Sequence, residues 1–322
     1  MRGAVASKDP RPGVVAPPQS AGFALRHRLG IDLGGTKTEV AVLGPGGDIL
    51  WRRRTQTPGT YPDIIRNMVA LVSAVESELG ARTTVGVGIP GVISPATGLV
   101  KNANTQILIG HALDQDLSVA LGREVRVEND ANCFALSEAA DGAGQGVRCV
   151  FGVIIGTGCG GGVVLDRRIL PGRHRIAGEW GHTPLPWPRA DEYPLPPCWC
   201  GQSGCLELYL AGPGLARSCD AANAAEVEAR AAAGDSRAIA ALEHHADRLA
   251  RGLAVICNIL DPDVIVLGGG LSNMPHLYTS VPTLMRRYVF SDVIDTPIVR
   301  NRHGDSSGVR GAAWLWGGAA RG

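Results

Sequence analysis

Long apolar runs and net charge are both scarce in this sequence of 322 residues. No window approaches the roughly 20 apolar residues that a membrane-spanning helix needs, and the N-terminus lacks the apolar run of a secretory signal. We therefore expect a cytoplasmic protein with no membrane partner. Because 31 basic residues balance 30 acidic ones, no overall field attracts nucleic acid, and a small-molecule partner is favoured.

Two motifs with known chemistry are missing as well. The pattern G-x-x-x-x-G-K-[ST] does not occur, which excludes the ordinary P-loop nucleotide site. The cysteines that cluster at positions 198, 200 and 205 contain no C-x-x-C pair, which argues against a redox dithiol. The composition, 45% hydrophobic and 19% charged, does allow a large core, and the length predicts two lobes.

Composition and periodicity divide the chain into three parts. Residues 1–28 are rich in Pro, Gly, Ala and basic residues without periodicity, and we predict a disordered leader. Alternating strand and helix patterns follow, which indicate an α/β protein with largely covered sheets. We place an N-terminal lobe at 29–128 and a C-terminal lobe at 129–322, with the option that the final helix packs back on the first lobe.

A weak internal repeat relates the two lobes. Aligning Gly30 with Gly152 superposes GIDLGGTKTEVAVL on GVIIGTGCGGGVVL, so that both segments read as strand, glycine turn and strand. The match follows the hydrophobic pattern more than the identities. It predicts a duplicated unit.

Three glycine-rich turns follow strands and are candidates for phosphate binding. They are Gly34-Gly35-Thr36, Gly156-Thr157-Gly158 and Gly268-Gly269-Gly270. Without side chains, their backbone N–H groups can converge on phosphate oxygens, although each alone could be only a tight turn. The nucleotide-binding candidates are Gly30, Asp32, Gly34, Gly35, Thr36, Lys37, Gly156, Thr157, Gly158, Gly160, Gly161, Gly269 and Gly270.

The segment GTGCGG, residues 156–161, also fits the dinucleotide pattern G-x-G-x-x-G. Glu179 lies at a suitable distance downstream for a ribose ligand. That fingerprint requires a helix at the third glycine, whereas GGVVLDRRIL is apolar and β-branched. We therefore favour a hairpin turn, and keep a nicotinamide-dependent oxidoreductase only as an alternative.

The segment CWCGQSGCLE carries three cysteines, Cys198, Cys200 and Cys205. A disulfide would leave one of them unpaired. With His182, sixteen residues upstream of the first, they complete a tetrahedral Zn²⁺ shell. Four protein ligands leave no open position, so we predict a structural zinc. The other five cysteines are expected to be small core or loop residues.

Seven motifs occur in the order found in the ROK family of sugar kinases: IDLGGTK, VGIPG, NDANCFALSEA, IIGTGCGGG, GEWGH, CWCGQSGCLE and DPDVIVLGGG. The sequence resembles this family from Leu29 to Trp316. Three further segments, KNANT, AGEWGHTPLPW and HGDSSGVRGAAWLW, look most like bacterial fructokinases of the manno(fructo)kinase type, with N-acetylglucosamine kinases as close relatives.

The resemblance implies a two-lobed, actin-like (ribonuclease H-like) ATPase fold with ATP and Mg²⁺ in the cleft. The implied reaction is phosphorylation of a hexose 6-hydroxyl, most simply fructose to fructose 6-phosphate. N-acetylglucosamine or glucose are alternative substrates, and a sugar-sensing regulator without turnover is a more distant one. We expect a homodimer, and no DNA-binding function, because the leader shows no paired helical pattern.

The resemblance also assigns roles to single residues. Asp130 is the expected general base, although an Asp between a strand and a helix could be only an N-cap. Asp32, at the end of the first strand, is the expected Mg²⁺ ligand, although a carboxylate there could be only a turn former. Lys37 either neutralises phosphate or lies on a solvated face. The expected sugar contacts are Gly91, Asn104, Asn129, Asp130, Glu179, His182 and Glu207.

Overall fold

The structure, a computed structural model, describes residues 27–103 and 105–317. The leader predicted at residues 1–28 therefore lies almost wholly outside the described residues, and so does Asn104. Within the described ranges, no helix has both the length and the apolar character to span a bilayer.

Twelve strands are found in the described residues. Their bounds are β1 Arg28–Leu33, β2 Lys37–Leu43, β3 Ile49–Gln56, β4 Thr84–Ile89, β5 Val92–Ile93, β6 Val100–Lys101, β7 Val125–Asn129, β8 Cys149–Ile155, β9 Cys159–Leu165, β10 Arg168–Ile169, β11 Val264–Gly268 and β12 Ile298–Arg300.

Ten α-helices connect or flank these strands. Their bounds are α1 Tyr61–Leu79, α2 Leu113–Leu121, α3 Asp130–Asp141, α4 Glu207–Leu210, α5 Gly212–Arg217, α6 Ala224–Ala232, α7 Ser236–Leu260, α8 His276–Thr279, α9 Val281–Met285 and α10 Ser307–Trp314.

The larger strands form two five-stranded sheets of the same design. The first sheet has the order β3-β2-β1-β4-β7, and the second has the order β10-β9-β8-β11-β12. In each sheet the first three strands are antiparallel neighbours and the last three are parallel. The two hairpins that the sequence repeat relates, β1–β2 and β8–β9, occupy equivalent places, which accounts for the repeat.

Side chains at the helix ends explain where the two longest helices begin and end. The Thr60 side chain caps the N-terminus of α1, and Gly80 ends this helix in the left-handed conformation. The Asp235 side chain accepts from the first free N–H groups of α7, and Asp261 ends that helix just before a proline. Such caps satisfy backbone groups that the helix itself leaves unpaired.

Two helices, α3 and α10, lie between the sheets, and glycines allow them to approach closely. A Cβ at Gly30 of β1 would lie 2.0 Å from the Val309 carbonyl oxygen of α10, and one at Gly152 of β8 would lie 2.7 Å from Ala135 Cβ of α3. The helices also touch each other, since a Cβ at Gly311 would lie 1.6 Å from the Cys133 carbonyl oxygen. The last described helix thus covers the first sheet.

Candidate active site

A cavity of about 450 Å³ opens between the two sheets, at the carboxyl ends of β1, β7, β11 and β12. Ligands of open α/β sheets bind at this edge. The residues that line the cavity are Asp32, Asp130, Phe134, Ile154, Gly269, Gly270, Ser272, Asn273, Arg300, Asn301, Gly304, Asp305, Ser307 and Gly308.

Asp32 lies next to the last residue of β1, against the N-terminus of α10. A Cβ at Gly308 would lie 2.9 Å from its Oδ2 atom, so only glycine leaves room for the carboxyl there. Burial raises the pKa of Asp32 to about 7, and the nearby carboxylates of Asp130 and Glu39 act in the same direction. A cation in the cavity would offset this concentration of negative charge, and carboxylate oxygens are ligands that Mg²⁺ takes.

Asp130 is the first residue of α3, at the point where β7 ends. The alternative that it is the N-cap is wrong, because Asn129 has that position and its Oδ1 accepts from Ala131 N at 2.9 Å and Asn132 N at 3.3 Å. The Asn129 amide also donates to the Gly91 carbonyl at 3.3 Å, which joins the VGIPG turn to the start of the helix. The Asp130 carboxyl is thereby left to face the cavity.

The pKa of Asp130 is raised to about 6, mainly by burial. The Ala131 N–H, which donates to its Oδ1 at 2.8 Å, acts in the opposite direction, whereas the charge of Glu179 adds to the effect of burial. A carboxyl with a pKa near 6 is ionised at neutral pH, yet is more basic than an ordinary aspartate.

The predicted sugar contact Glu179 lies near Asp130, and the predicted contacts His182 and Glu207 lie near Glu179. Burial raises the pKa of the Glu179 carboxyl. His182 acts to lower this pKa, and the charge of Glu207 acts to raise it further. Glu207, the first residue of α4, accepts from Cys159 N through Oε2 at 3.0 Å. Three carboxyl groups and one imidazole, from α3, the 3-10 turn at Trp180–His182 and α4, therefore lie near one another. Of these four, only Asp130 lines the cavity.

Two of the three glycine turns meet. Gly156, in the β8–β9 turn, lies beside Gly270, since a Cβ on Gly156 would be 3.8 Å from Gly270 N. Gly269 has a φ of +81° and a Cβ there would lie 2.4 Å from the Ile155 carbonyl oxygen, so this turn requires glycine. In the β1–β2 turn, Gly34 N bonds to Lys37 O at 3.0 Å, and the Lys37 side chain is exposed.

Three glycines predicted to bind nucleotide lie elsewhere. Gly30 is buried within β1 against α10. Gly160 and Gly161 lie within β9, where their partners are Ile154 and Val153 of β8. The Trp180 indole covers them and donates to the Gly160 carbonyl at 3.0 Å. These three glycines therefore lie within strands and not in the turns, and a role for them in nucleotide binding stays a prediction.

Sequence reasoning identified Gly269 and Gly270 after β11, but it missed the polar side chains that follow them and the residue at the end of β12. Ser272 and Asn273 lie in the 3-10 turn after β11, while Arg300 ends β12. The Arg300 guanidinium donates to the Asn273 side chain. Their position at the carboxyl ends of parallel strands could have identified these residues as site candidates. However, β12 has only three residues and no clear strand pattern.

The four predicted zinc ligands lie together, with ligand atoms within 4.8 Å of one another. Cys198 Sγ lies 3.7 Å from His182 Nδ1, and Cys200 Sγ lies 3.6 Å from Cys205 Sγ. A tetrahedral zinc with Zn–S bonds of about 2.3 Å has ligand atoms about 3.8 Å apart. No disulfide involves these cysteines. The geometry and the donor set therefore fit a zinc ion.

The loop between His182 and Cys198 is also fixed from its other side, by a buried ion pair. Arg251 of α7 donates to both carboxylate oxygens of Glu192, at 2.6 and 2.9 Å, and to the carbonyls of Pro186 and Trp187 at 3.0 and 2.8 Å. The side chains of Arg251 and Glu192 are only 1% and 3% exposed. We call this group the Arg251–Glu192 anchor.

Comparison with known proteins identifies the family to which this chain belongs. The sequence model of the ROK family matches residues 28–319. An N-acetyl-D-glucosamine kinase of Yersinia enterocolitica is 38% identical over 296 residues, which cover 89% of this chain and 98% of that protein.

Solved structures agree on the fold. A ROK hexokinase from Thermus thermophilus has a TM-score of 0.79 at 32% identity, covering 89% of this chain and 96% of its own. A ROK glucokinase from Streptomyces griseus, in complex with glucose and AMPPNP, has a TM-score of 0.72 at 27% identity, covering 90% and 98%. The two mixed sheets fit the actin-like ATPase fold, and the chain belongs to the ROK family as an ATP-dependent sugar kinase.

Proposed function

We propose that the protein transfers the γ-phosphoryl group of ATP to the 6-hydroxyl of N-acetylglucosamine. The observation that carries this substrate is the 38% identity to an N-acetyl-D-glucosamine kinase over 98% of that protein's length. Fructose, which the motif segments favoured, has no comparable support. The products are N-acetylglucosamine 6-phosphate and ADP.

Asp130 is the proposed general base. The sugar 6-oxygen forms a bond to the γ-phosphorus, while the bond between this phosphorus and the oxygen that bridges it to the β-phosphorus breaks, so that ADP leaves. The proton of the 6-hydroxyl passes to the Asp130 carboxylate. The Asn129 cap fixes the first turn of α3, and with it the position of this carboxyl. Phosphoryl transfer depends mainly on such positioning and on charge neutralisation.

The nucleotide side of the cleft is proposed to consist of the glycine turns and the residues after β11 and β12. Gly34, Gly35 and Thr36 border it from the first sheet, and Gly156, Thr157 and Gly158 from the second. Gly269 and Gly270 leave backbone N–H groups free of side-chain bulk. Mg²⁺, when bound, neutralises phosphate charge, and Asp32 is the carboxylate proposed to hold it.

The sugar side is proposed to consist of Glu179, His182 and Glu207, with Asn129 and Gly91 at the border to Asp130. Planar polar side chains discriminate sugars because a wrong hydroxyl pattern leaves them unpaired. Asn104, outside the described residues, stays a predicted sugar contact. The predicted homodimer likewise stays a prediction.

A structural zinc is proposed at His182, Cys198, Cys200 and Cys205. Because His182 Nδ1 faces Cys198, a zinc bond at this atom would leave Nε2 for a sugar hydroxyl. When bound, the ion supplies a rigid link between the GEWGH turn and the start of α4. Glu179, His182 and Glu207 would then keep fixed relative positions.

A hexose panel tests the proposed reaction. Specificity constants for N-acetylglucosamine, glucose, mannose and fructose are measured with ATP and Mg²⁺ by coupled ADP release. N-acetylglucosamine should give the highest kcat/KM, by about tenfold or more, if its acetamido group finds hydrogen-bonding partners. A higher kcat/KM for fructose would reject the proposed substrate, and sugar binding without ADP release would indicate a regulator.

A further inference from the structure

A tryptophan lies in an unusual place, between two of the zinc-site cysteines. Trp199 separates Cys198 from Cys200, and its side chain is 67% exposed. Its indole N–H nevertheless donates to Glu207 Oε1 at 3.0 Å. Its ring also packs edge-on against His182, with ring centroids 4.8 Å apart. The exposed indole therefore contacts two of the proposed sugar-binding side chains at once.

Fold stability does not explain this arrangement. A tryptophan usually contributes by burying roughly 150–250 Å² of apolar surface, and Trp199 leaves most of its ring in solvent. A side chain with an apolar face and one satisfied polar atom is instead typical of binding surfaces. The ring faces of aromatic residues suit sugars, because the C–H groups on one face of a pyranose form an apolar surface.

The bond to Glu207 has a second consequence. Glu207 Oε2 accepts from Cys159 N and Oε1 accepts from Trp199, so both carboxylate oxygens have fixed directions. Each oxygen keeps a further lone pair for a ligand hydroxyl. Without the indole donor, only the Cys159 N–H would hold the carboxylate, which could then turn about its terminal bond. Trp199 thus limits the orientations in which Glu207 can accept from a sugar.

We propose that Trp199 is a specificity-determining residue of the sugar site. Its N–H orients the Glu207 carboxylate, and its exposed ring forms an apolar wall against which the bound sugar packs. The inference rests on the proposed function in that it assumes a hexose binds beside His182 and Glu207. It does not depend on which hexose that is.

Two substitutions separate the functions of the N–H and of the ring. Trp199→Phe keeps an aromatic face and removes the donor, and we expect the KM for the preferred hexose to rise about tenfold, the size of one hydrogen bond to a charged group. Trp199→Ala removes both, and the rise should reach about 100-fold. The KM for ATP and the zinc content should stay unchanged in both.

A double-mutant cycle tests whether the effect passes through Glu207. Because Glu207→Gln already weakens the bond to the indole, adding Trp199→Phe should raise KM by less than it does in the wild-type background. Trp187→Phe is the matched control, since Trp187 is exposed in the same loop but stacks on Tyr288 instead. This control should keep the wild-type KM.

Sugar binding by calorimetry provides a readout that needs no turnover. If the wild-type protein prefers another hexose, the proposed substrate fails, and the Trp199 variants are compared on the preferred hexose. An unchanged sugar affinity in both Trp199 variants would overturn the inference. So would a loss of zinc or of melting temperature in Trp199→Phe that accounts for the whole effect, since the role would then be structural.

Discussion

The carboxyl of Asp130 lies among other acids, and this environment determines when it can accept a proton. Burial and the charge of Glu179 both disfavour its ionised form, and its pKa is raised to about 6. Above that pH the group is a carboxylate and can act as a base. Below it, the proton that it should accept in the reaction is already bound.

Activity should therefore fall on the acidic side. We expect kcat/KM for the sugar to drop about tenfold per pH unit below a pH of about 6, as the Asp130 carboxylate is protonated. Asp130→Asn should lower kcat by about 10²–10⁴-fold, the usual contribution of a general base. Steady-state kinetics of the wild-type protein and of Asp130→Asn, measured as a function of pH with saturating ATP and Mg²⁺, test both expectations.

Stability supplies the control for this prediction. Because the folded-state pKa is raised, the folded protein holds the Asp130 proton more tightly than the unfolded chain, so this group costs stability as pH rises through its pKa. Asp130→Asn should then melt no lower than wild type at a pH of about 7.5. Asp166→Asn, at an exposed aspartate paired with Arg148, should leave activity unchanged. Full activity of Asp130→Asn would reject the assigned base.

The role of a single residue could be predicted from sequence only where that role depends on its neighbours in a short segment. The Asn129–Asp130 pair was recognisable as a helix start, but which of the two caps depends on a shift of one residue that sequence patterns do not resolve. Trp199 and Glu207 belong to one motif, CWCGQSGCLE, but their contact depends on how the chain turns between them, and the contact with His182 depends on how a second segment packs. The sequence pattern does not show either arrangement. The grouping of His182 with Cys198, Cys200 and Cys205 was predictable, because their chemistry and spacing restrict the alternatives.

At the scale of elements, the loop between His182 and Cys205 is held at two independent places. The cysteine cluster holds one side, and the Arg251–Glu192 anchor attaches the other side to α7. The two contacts stabilise different parts of the same segment. Losing one should therefore loosen the sugar side of the cleft without unfolding the protein.

Zinc removal tests this division. Chelator treatment, or Cys200→Ser, should raise the KM for the sugar more than the KM for ATP. The β8–β9 turn contacts this region through the Cys159 N–H that Glu207 accepts, so a smaller rise in the KM for ATP is expected. The loss of stability should be far below the about 10 kcal/mol that zinc contributes in small zinc peptides. Metal analysis, calorimetric melting and steady-state kinetics check the three expectations.

Glu192→Gln is the contrasting variant at the other side of the loop. It removes one of two carboxylates that face the buried Arg251 guanidinium, since Asp247 Oδ2 stays 3.0 Å from Arg251 Nε. The loss of stability should therefore lie below the about 3–5 kcal/mol that an unpaired buried charge typically costs. Zinc content should be retained, so a variant that loses both stability and zinc would show that the two contacts are one unit. Cys200→Ser protein that keeps full zinc would reject the proposed metal site.

Element types were predictable where apolar periodicity was strong. The two related hairpins and the strand before Gly268 all occur where the pattern indicated them. The short pieces, such as β12 and the 3-10 turn after β11, carry too few residues for a period. They shape the nucleotide side of the cavity, which is why this side was incomplete in the sequence prediction.

At the scale of the whole molecule, α3 and α10 pack between the two sheets and join them. Helix α10 packs on β1 and β4 of the first sheet and crosses α3, which packs on β8 and β9 of the second. The crossing requires Gly311, where the helix backbones meet. The two-fold repetition of sheets was suggested by the sequence, but not this crossing, because it joins residues nearly 180 positions apart.

Gly311→Ala should therefore affect the entire fold. A Cβ at this position would overlap the Cys133 carbonyl, and since backbone cannot give way as a side chain can, we expect a loss of about 3 kcal/mol or more. Gly59→Ala is the control, because no other atom lies within 4 Å of where its new methyl group would be. Chemical denaturation measures both, and equal stability of the two variants would contradict the proposed role of the crossing.

The covering of the first sheet by α10 has a consequence for how the protein is made. Strand β1 is synthesised roughly 270 residues before α10, which at about 5–20 residues per second is a delay of tens of seconds on the ribosome. During that time the face of the first sheet around Gly30, on which α10 later packs, lacks this helix and is open to other chains. Newly made protein should for this reason depend on chaperones until α10 emerges.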